Sequence, residues 1–141
     1  CSPNGYIFFA RESRAHLFSF LFFDFTKCDI MEATMKLCID ACIECATACE
    51  NCVTQCLKEE DVRMMIRCIE LDRQCATVCR SAAELMMIGG EFSAALCSTC
   101  AEVCDACAEE CSKHQEQHCQ QCANACRKCA EECRRMTEQH V

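Results

Sequence analysis

The chain has 141 residues, among them 21 cysteines but only three glycines, one proline and no tryptophan; 22 acidic against 14 basic residues give a formal charge of −8. Cysteine at about 15 % is above the level at which thiol chemistry dominates a short chain. Scarce glycine and proline argue against β-rich, turn-rich architectures and against the loop-rich disulfide scaffolds of small secreted proteins. The acidic balance argues against nucleic acid as a partner.

Residues 1–30 differ from the rest. Seven of the eight phenylalanines and the only tyrosine lie before residue 26, and charge is balanced at three basic against three acidic. Cys1 and Cys28 follow no regular spacing. The apolar run Leu17–Phe25 is interrupted by Asp24 and is too short to span a bilayer, so no membrane association is expected. Neither a small-x-small cleavage site nor a twin arginine accompanies it. The chain does not begin with methionine, and the expected division is a 1–30 extension and a 31–141 functional domain that starts at Met31. The extension reads as a start-site artefact or part of a truncated precursor; the alternative is a short apolar helix packed across one end of a bundle.

From Met31 to Ile88 there is neither glycine nor proline. Cysteine is a mediocre helix former, so spacing carries the assignment. Cys38, Cys42, Cys45, Cys49, Cys52 and Cys56 advance by alternating steps of four and three, which places them on one stripe of an α-helix. The stretches Cys97, Cys100, Cys104, Cys107, Cys111 and Cys119, Cys122, Cys126, Cys129, Cys133 repeat the pattern. A sparser second stretch has Cys68, Cys75 and Cys79, and its register puts Met65, Asp72, Ala82 and Met86 at the other inward positions. Lys58–Asp61 ends one helix and sets acids before the next. Gly89-Gly90 stops the second helix, and Ser112–Gln117 joins the third to the fourth. Four helices of roughly 21–28 residues with short links predict an all-α fold, an antiparallel up-down-up-down four-helix bundle with a cysteine-lined core.

Packing alone does not account for such a seam, because a core of small side chains would be poorly filled. Disulfides within a helix are disfavoured, since cysteines three or four apart sit about 5–6 Å apart at Cβ against roughly 3.5–4.5 Å in a disulfide. Cys38-x3-Cys42-x2-Cys45 matches an iron–sulfur spacing, yet it recurs as a by-product of the helical period, and no Cys-Pro accompanies it. Structural zinc favours closed four-ligand units from loops. A continuous ladder suits a soft monovalent ion shared between thiolates, and thiolate softness selects Cu(I) first. If each Cu(I) replaces one thiol proton the core stays neutral, so the expected loading is about one ion per seam cysteine.

The stretches CIDACIECATACENC, LDRQCATVC, CSTCAEVCDACAEECSKH and HCQQCANACRKCAEEC resemble the four-helix-bundle copper storage proteins, in particular their cytosolic bacterial branch. The resemblance covers residues 31–141. It implies a cytoplasmic homotetramer of bundles, each loading many Cu(I) ions inside its core.

An up-down order puts the 58–61 and 112–118 links at one end, where Met64, Met65, His114 and His118 gather with Cys56, Cys111 and Cys119. A solvent-near His114 or His118 is a candidate first ligand for copper; the alternative is a loop histidine that only contacts water. Met31, Met35, Met86, Met87, Phe92 and Met136 are expected to form an apolar plug at the other end. Asp72 occupies an inward position, either as oxygen ligand or proton acceptor during loading, or exposed through a slip of register. His16 and His140 have no assigned role.

No nucleophile–base–orienter arrangement and no phosphate-binding glycine loop supports enzyme chemistry. The expectation is a copper store and buffer without catalysis, with copper donor or acceptor proteins as partners. The rivals are a less selective zinc, cadmium or silver buffer, and a redox protein cycling inter-helix disulfides.

Overall fold

The computed structural model describes the backbone of residues 14–138 and the side chains of residues 29–138. The side chains of the Leu17–Phe25 run, with Cys1, Cys28, His16 and His140, lie outside the described residues. Four helices follow in order: α1 (Arg14–Cys56), α2 (Val62–Met87), α3 (Ser93–Cys111) and α4 (Gln117–Glu138). By internal contacts the chain falls into two units, residues 1–30 and 31–141, and the cysteine seam belongs to the second. Helix lengths depart from the expectation at two places: α1 starts at Arg14 and has 43 residues, and α3 has only 19.

Sulfur contacts fix the topology. Cys38, early in the α1 seam, meets Cys133 near the end of α4 at 3.7 Å. Cys56 at the end of α1 meets Cys119 at the start of α4 at 3.8 Å. Cys68 near the start of α2 meets Cys111 at the end of α3 at 3.4 Å, and Cys79 meets Cys100 at 3.5 Å. Cys45 and Cys52 of α1 meet Cys75 and Cys68 of α2 at 3.7 and 3.9 Å, so each helix runs antiparallel to the one before it. This is the up-down-up-down bundle that short links impose.

Nineteen cysteines, nine alanines, three methionines and one leucine make up the buried apolar core among the described residues. All nineteen cysteines are fully buried and unbridged. The sparse α2 register is as expected: Met65, Asp72, Ala82 and Met86 all face inward. Apart from Asp72 the charged side chains lie outside the core, and several join adjacent helices. Arg73 and Arg80 of α2 both reach Glu50 of α1, Lys128 of α4 reaches Glu44 of α1, and Arg134 of α4 pairs with Asp105 of α3. Exposed pairs of this kind contribute about 0–1 kcal/mol each, so they tune register more than stability.

The links show how the ends are set. The α2 stop has Ile88 at the cap, Gly89 at φ +66°, and two bonds back into the helix, Gly89 N–H to Met86 O at 3.1 Å and Gly90 N–H to Leu85 O at 2.9 Å. That is the Schellman arrangement, which needs a left-handed residue that glycine supplies without strain. The acids before α2 lie where its dipole favours them. Asp61 stands at the cap position, but its carboxylate takes the Arg63 Nε–H at 3.3 Å and makes no capping bond. The 112–116 link is gripped by Gln120, whose amide donates to the His114 carbonyl at 2.5 Å and the Ser112 carbonyl at 3.3 Å. This holds the histidine-bearing turn against the start of α4.

Candidate metal centre

The seam cysteines of four helices converge on one axis. Their sulfurs lie 3.4–4.0 Å from their neighbours, within and between helices. No thiol has an exclusive partner: Cys45 touches Cys75 at 3.7 Å, Cys104 at 3.9 Å and Cys126 at 3.5 Å. Disulfide cycling would need defined pairs, and the contacts form a continuous web instead.

Sets of four thiols come within 4.8 Å of one another throughout. They include Cys42/Cys100/Cys129/Cys133, Cys45/Cys75/Cys79/Cys104, Cys45/Cys49/Cys75/Cys126, Cys49/Cys107/Cys122/Cys126 and Cys52/Cys56/Cys68/Cys119. Cys45, Cys49, Cys75 and Cys126 each belong to two of these sets. An ion bonded to sulfur at about 2.3 Å holds its sulfurs about 3.8–4.6 Å apart, from tetrahedral to linear geometry. The seam already has that spacing to within a few tenths of an ångström. A sulfur that belongs to two sets can bridge two ions, so the geometry can hold a chain of ions.

Asp72 is fully buried on α2. Its Oδ1 accepts from Cys107 and Cys122, each at 3.1 Å, and from Cys111 at 3.4 Å, while Oδ2 accepts from Cys68 at 3.6 Å. The register slip that would leave it solvated does not occur. Burial, reinforced by Cys122, pushes its carboxyl up to about 8. Burial also pushes the thiol of Cys56 up to about 11, and it raises that of Cys119. Burial thus favours the protonated, neutral forms of Asp72, Cys56 and Cys119 in the metal-free protein.

The two histidines separate. His118, with a side chain 13 % exposed, sets Nε2 at 3.5 Å from Cys56 Sγ and 3.8 Å from Glu59 Oε1. It touches the last rung of the seam. His114 turns its Nε2 to Glu110 Oε1 at 3.7 Å and lines an open cleft with Met64, Glu59, Lys113 and Glu116. Met64 is exposed at this end, and Met65 is buried in the core.

The opposite end differs from the expected plug. Met86 and Met136 are buried, but Met87 and Phe92 are 60 % and 66 % exposed, and Met31 and Met35 are half-buried. Helix α2 ends at Met87, so the inward stripe ends with Met86, and Phe92 precedes the first turn of α3. Cys97 Sγ donates to Met86 Sδ at 3.7 Å. The heptad register had marked Met86 as inward, but periodicity does not show which sulfur a thioether meets.

A buried web of thiols along a four-helix bundle defines a class of protein built to take up soft metal ions. Residues 31–138 match the family model of copper storage proteins, Csp, and the chain belongs to that family. It is 46 % identical over 88 residues to the uncharacterized cysteine-rich protein YhjQ of Bacillus subtilis (strain 168), covering 62 % of this chain and 82 % of that one. Among solved structures it is similar to the Cu(I)-bound copper storage protein BsCsp3, with a TM-score of 0.71 and 45 % identity over 74 % of this chain and 98 % of that one. It is also similar to a cytosolic copper storage protein from Streptomyces lividans carrying five coppers. There the TM-score is 0.76 and identity 34 %, over 78 % of this chain and 97 % of that one.

Proposed function

We propose that residues 31–141 store and buffer Cu(I) in the cytoplasm, holding many ions per chain on the nineteen seam cysteines, with Asp72 as an oxygen ligand or proton acceptor inside the seam. His118 is the ligand at the mouth, and His114 stands outside it as a point of arrival. The sharing of sulfurs between neighbouring four-thiol sets carries this reading. Zinc in an isolated set of four thiolates would leave two negative charges buried, at a cost of several kcal/mol each. One Cu(I) per thiolate leaves none, and thiolate softness favours it. The chain acts by binding and release, and catalysis plays no part in this reading. The cytoplasmic setting follows the Streptomyces lividans relative. A homotetramer and copper donor or acceptor proteins as partners belong to the same reading. Among the described residues no helix is long and apolar enough to cross a membrane.

Metal analysis and a thiol count on protein purified anaerobically from copper-grown cells test this. Many copper ions per chain with the thiols reduced are expected. A zinc-filled protein, or one with its seam oxidised to disulfides, would contradict it.

A further inference from the structure

We propose that the thioether of Met86 is a copper ligand: it is the terminal sulfur of the seam and binds the last Cu(I) at the α2–α3 end together with Cys97. This rests on the storage reading and adds a ligand that the cysteine pattern does not contain.

Three observations carry it. Met86 is 2 % exposed and Cys97 fully buried, so their sulfurs meet away from water. Cys97 Sγ to Met86 Sδ is 3.7 Å, in the middle of the range that separates neighbouring seam thiols. Helix α2 also runs short of thiols toward this end. After Cys79 its inward positions are Ala82, which offers no donor, and then Met86. Met86 is the residue with which α2 contributes sulfur again.

The chemistry fits the position. In the middle of the seam a thiolate can bridge to ions on either side, as Cys45 and Cys126 are placed to do. Beyond Cys97 α3 has no further rung; the last thiols at that level are Cys38, Cys97 and Cys133, and α2 adds none to them. Another thiolate there would add a buried negative charge. A thioether is soft, so it suits Cu(I), and it is neutral, so it completes the coordination without disturbing the balance of one ion per thiolate. On binding, Cys97 loses its thiol proton to solvent or buffer, and Met86 has none to lose. His118 has the matching place at the far end, beside Cys56. A neutral donor thus closes each end of the thiol column. Methionine also fills gaps in cores, but a filler does not require its sulfur to face a thiol.

The test uses the full chain loaded anaerobically with Cu(I), in two measurements. In crystals of the loaded wild-type protein, anomalous diffraction at the copper edge should place a copper within bonding distance of Met86 Sδ. In solution, Met86→Leu keeps the volume and removes the donor. Outer-sphere partners of metals are already worth about 10–100-fold in affinity, so loss of a direct ligand should weaken one ion by about tenfold or more in chelator competition. The other ions, and the helicity of the metal-free variant, should not change. Met136→Leu should leave every ion as tight as before. A filled seam with no copper at Met86 Sδ would overturn the inference and leave storage standing, as would a Met86→Leu protein that releases all its copper as the wild type does. A chain that takes up no copper along the seam would overturn the storage reading, and this inference with it.

Discussion

His118 Nε2 stands 3.5 Å from Cys56 Sγ, whereas His114 Nε2 is buried without a hydrogen-bond partner, 3.7 Å from Glu110 Oε1. Three intervening residues and the grip of Gln120 on the 112–116 turn separate a histidine that touches the column from one that borders the cleft outside it. An imidazole beside the outermost thiol can take an incoming ion and pass it to Cys56 without exposing a bare charge. His118→Ala should therefore slow Cu(I) uptake and release several-fold, and His114→Ala should slow them less. Capacity should be almost unchanged in both. Stopped-flow transfer from a coloured Cu(I) chelator reads the rates, and equal rates in His118→Ala and wild type would remove the histidine from the entry path.

Asp72 makes the metal-free protein sensitive to pH. Its carboxyl is held at about 8 in the folded chain, against 3.8 ordinarily. Between those values the unfolded chain has lost a proton that the native chain keeps, so stability must fall as pH rises from about 4 to about 8. Cys56, raised from 9.0 to about 11, extends the decline above pH 9. Denaturant unfolding of the reduced apoprotein should thus show lower stability at pH 8 than at pH 5, by as much as several kcal/mol. Asp72→Asn should flatten that slope between pH 5 and 8. An equal slope in the variant would mean that other groups set the dependence.

Much of this was legible in the chain because a stripe of one residue type at alternating steps of four and three reports a helix face directly. The same register carried Asp72 and Met86 inward, though α2 has only three cysteines. The ends were less legible, because they depend on where a helix stops and not on its period. Met87 and Phe92 were expected in the plug and lie outside it, since α2 closes at Ile88 and α3 begins beyond Phe92. Likewise both histidines of the 112–118 link look equivalent in sequence, and the fold of that link separates them. The acids Glu59, Glu60 and Asp61 were legible as favourable to the α2 dipole, but not the pairing of the Asp61 carboxylate with Arg63 two residues on.

Gly89 offers a clean test of the α2 stop. The space beside it is open, so an alanine there meets no neighbour. Its cost comes only from φ +66°, where a side chain loses about 1 kcal/mol. Gly89→Ala should lower the melting temperature of the apoprotein by a few degrees and leave copper binding intact. A variant as stable as the wild type would show that the turn opens without penalty.

Metal should not be needed for folding. Each helix has at least four turns, and alanines close the spaces around protonated thiols, so no ion is required to cancel charge. Circular dichroism of the reduced apoprotein should show a helical spectrum, and Cu(I) should raise the unfolding temperature strongly, because ions bind only the native seam. A disordered apo spectrum that turns helical on copper addition would make the chain one that folds around its metal, in the manner of a zinc finger.

The most direct test of a sulfur-bridged store is its capacity. Anaerobic titration with Cu(I) against a competing chelator should remove copper from the chelator until close to one ion per seam cysteine is bound, near the nineteen buried thiols of the bundle. Saturation at one to four ions per chain would contradict it, because so small a number means separate closed sites and not a column of shared thiolates.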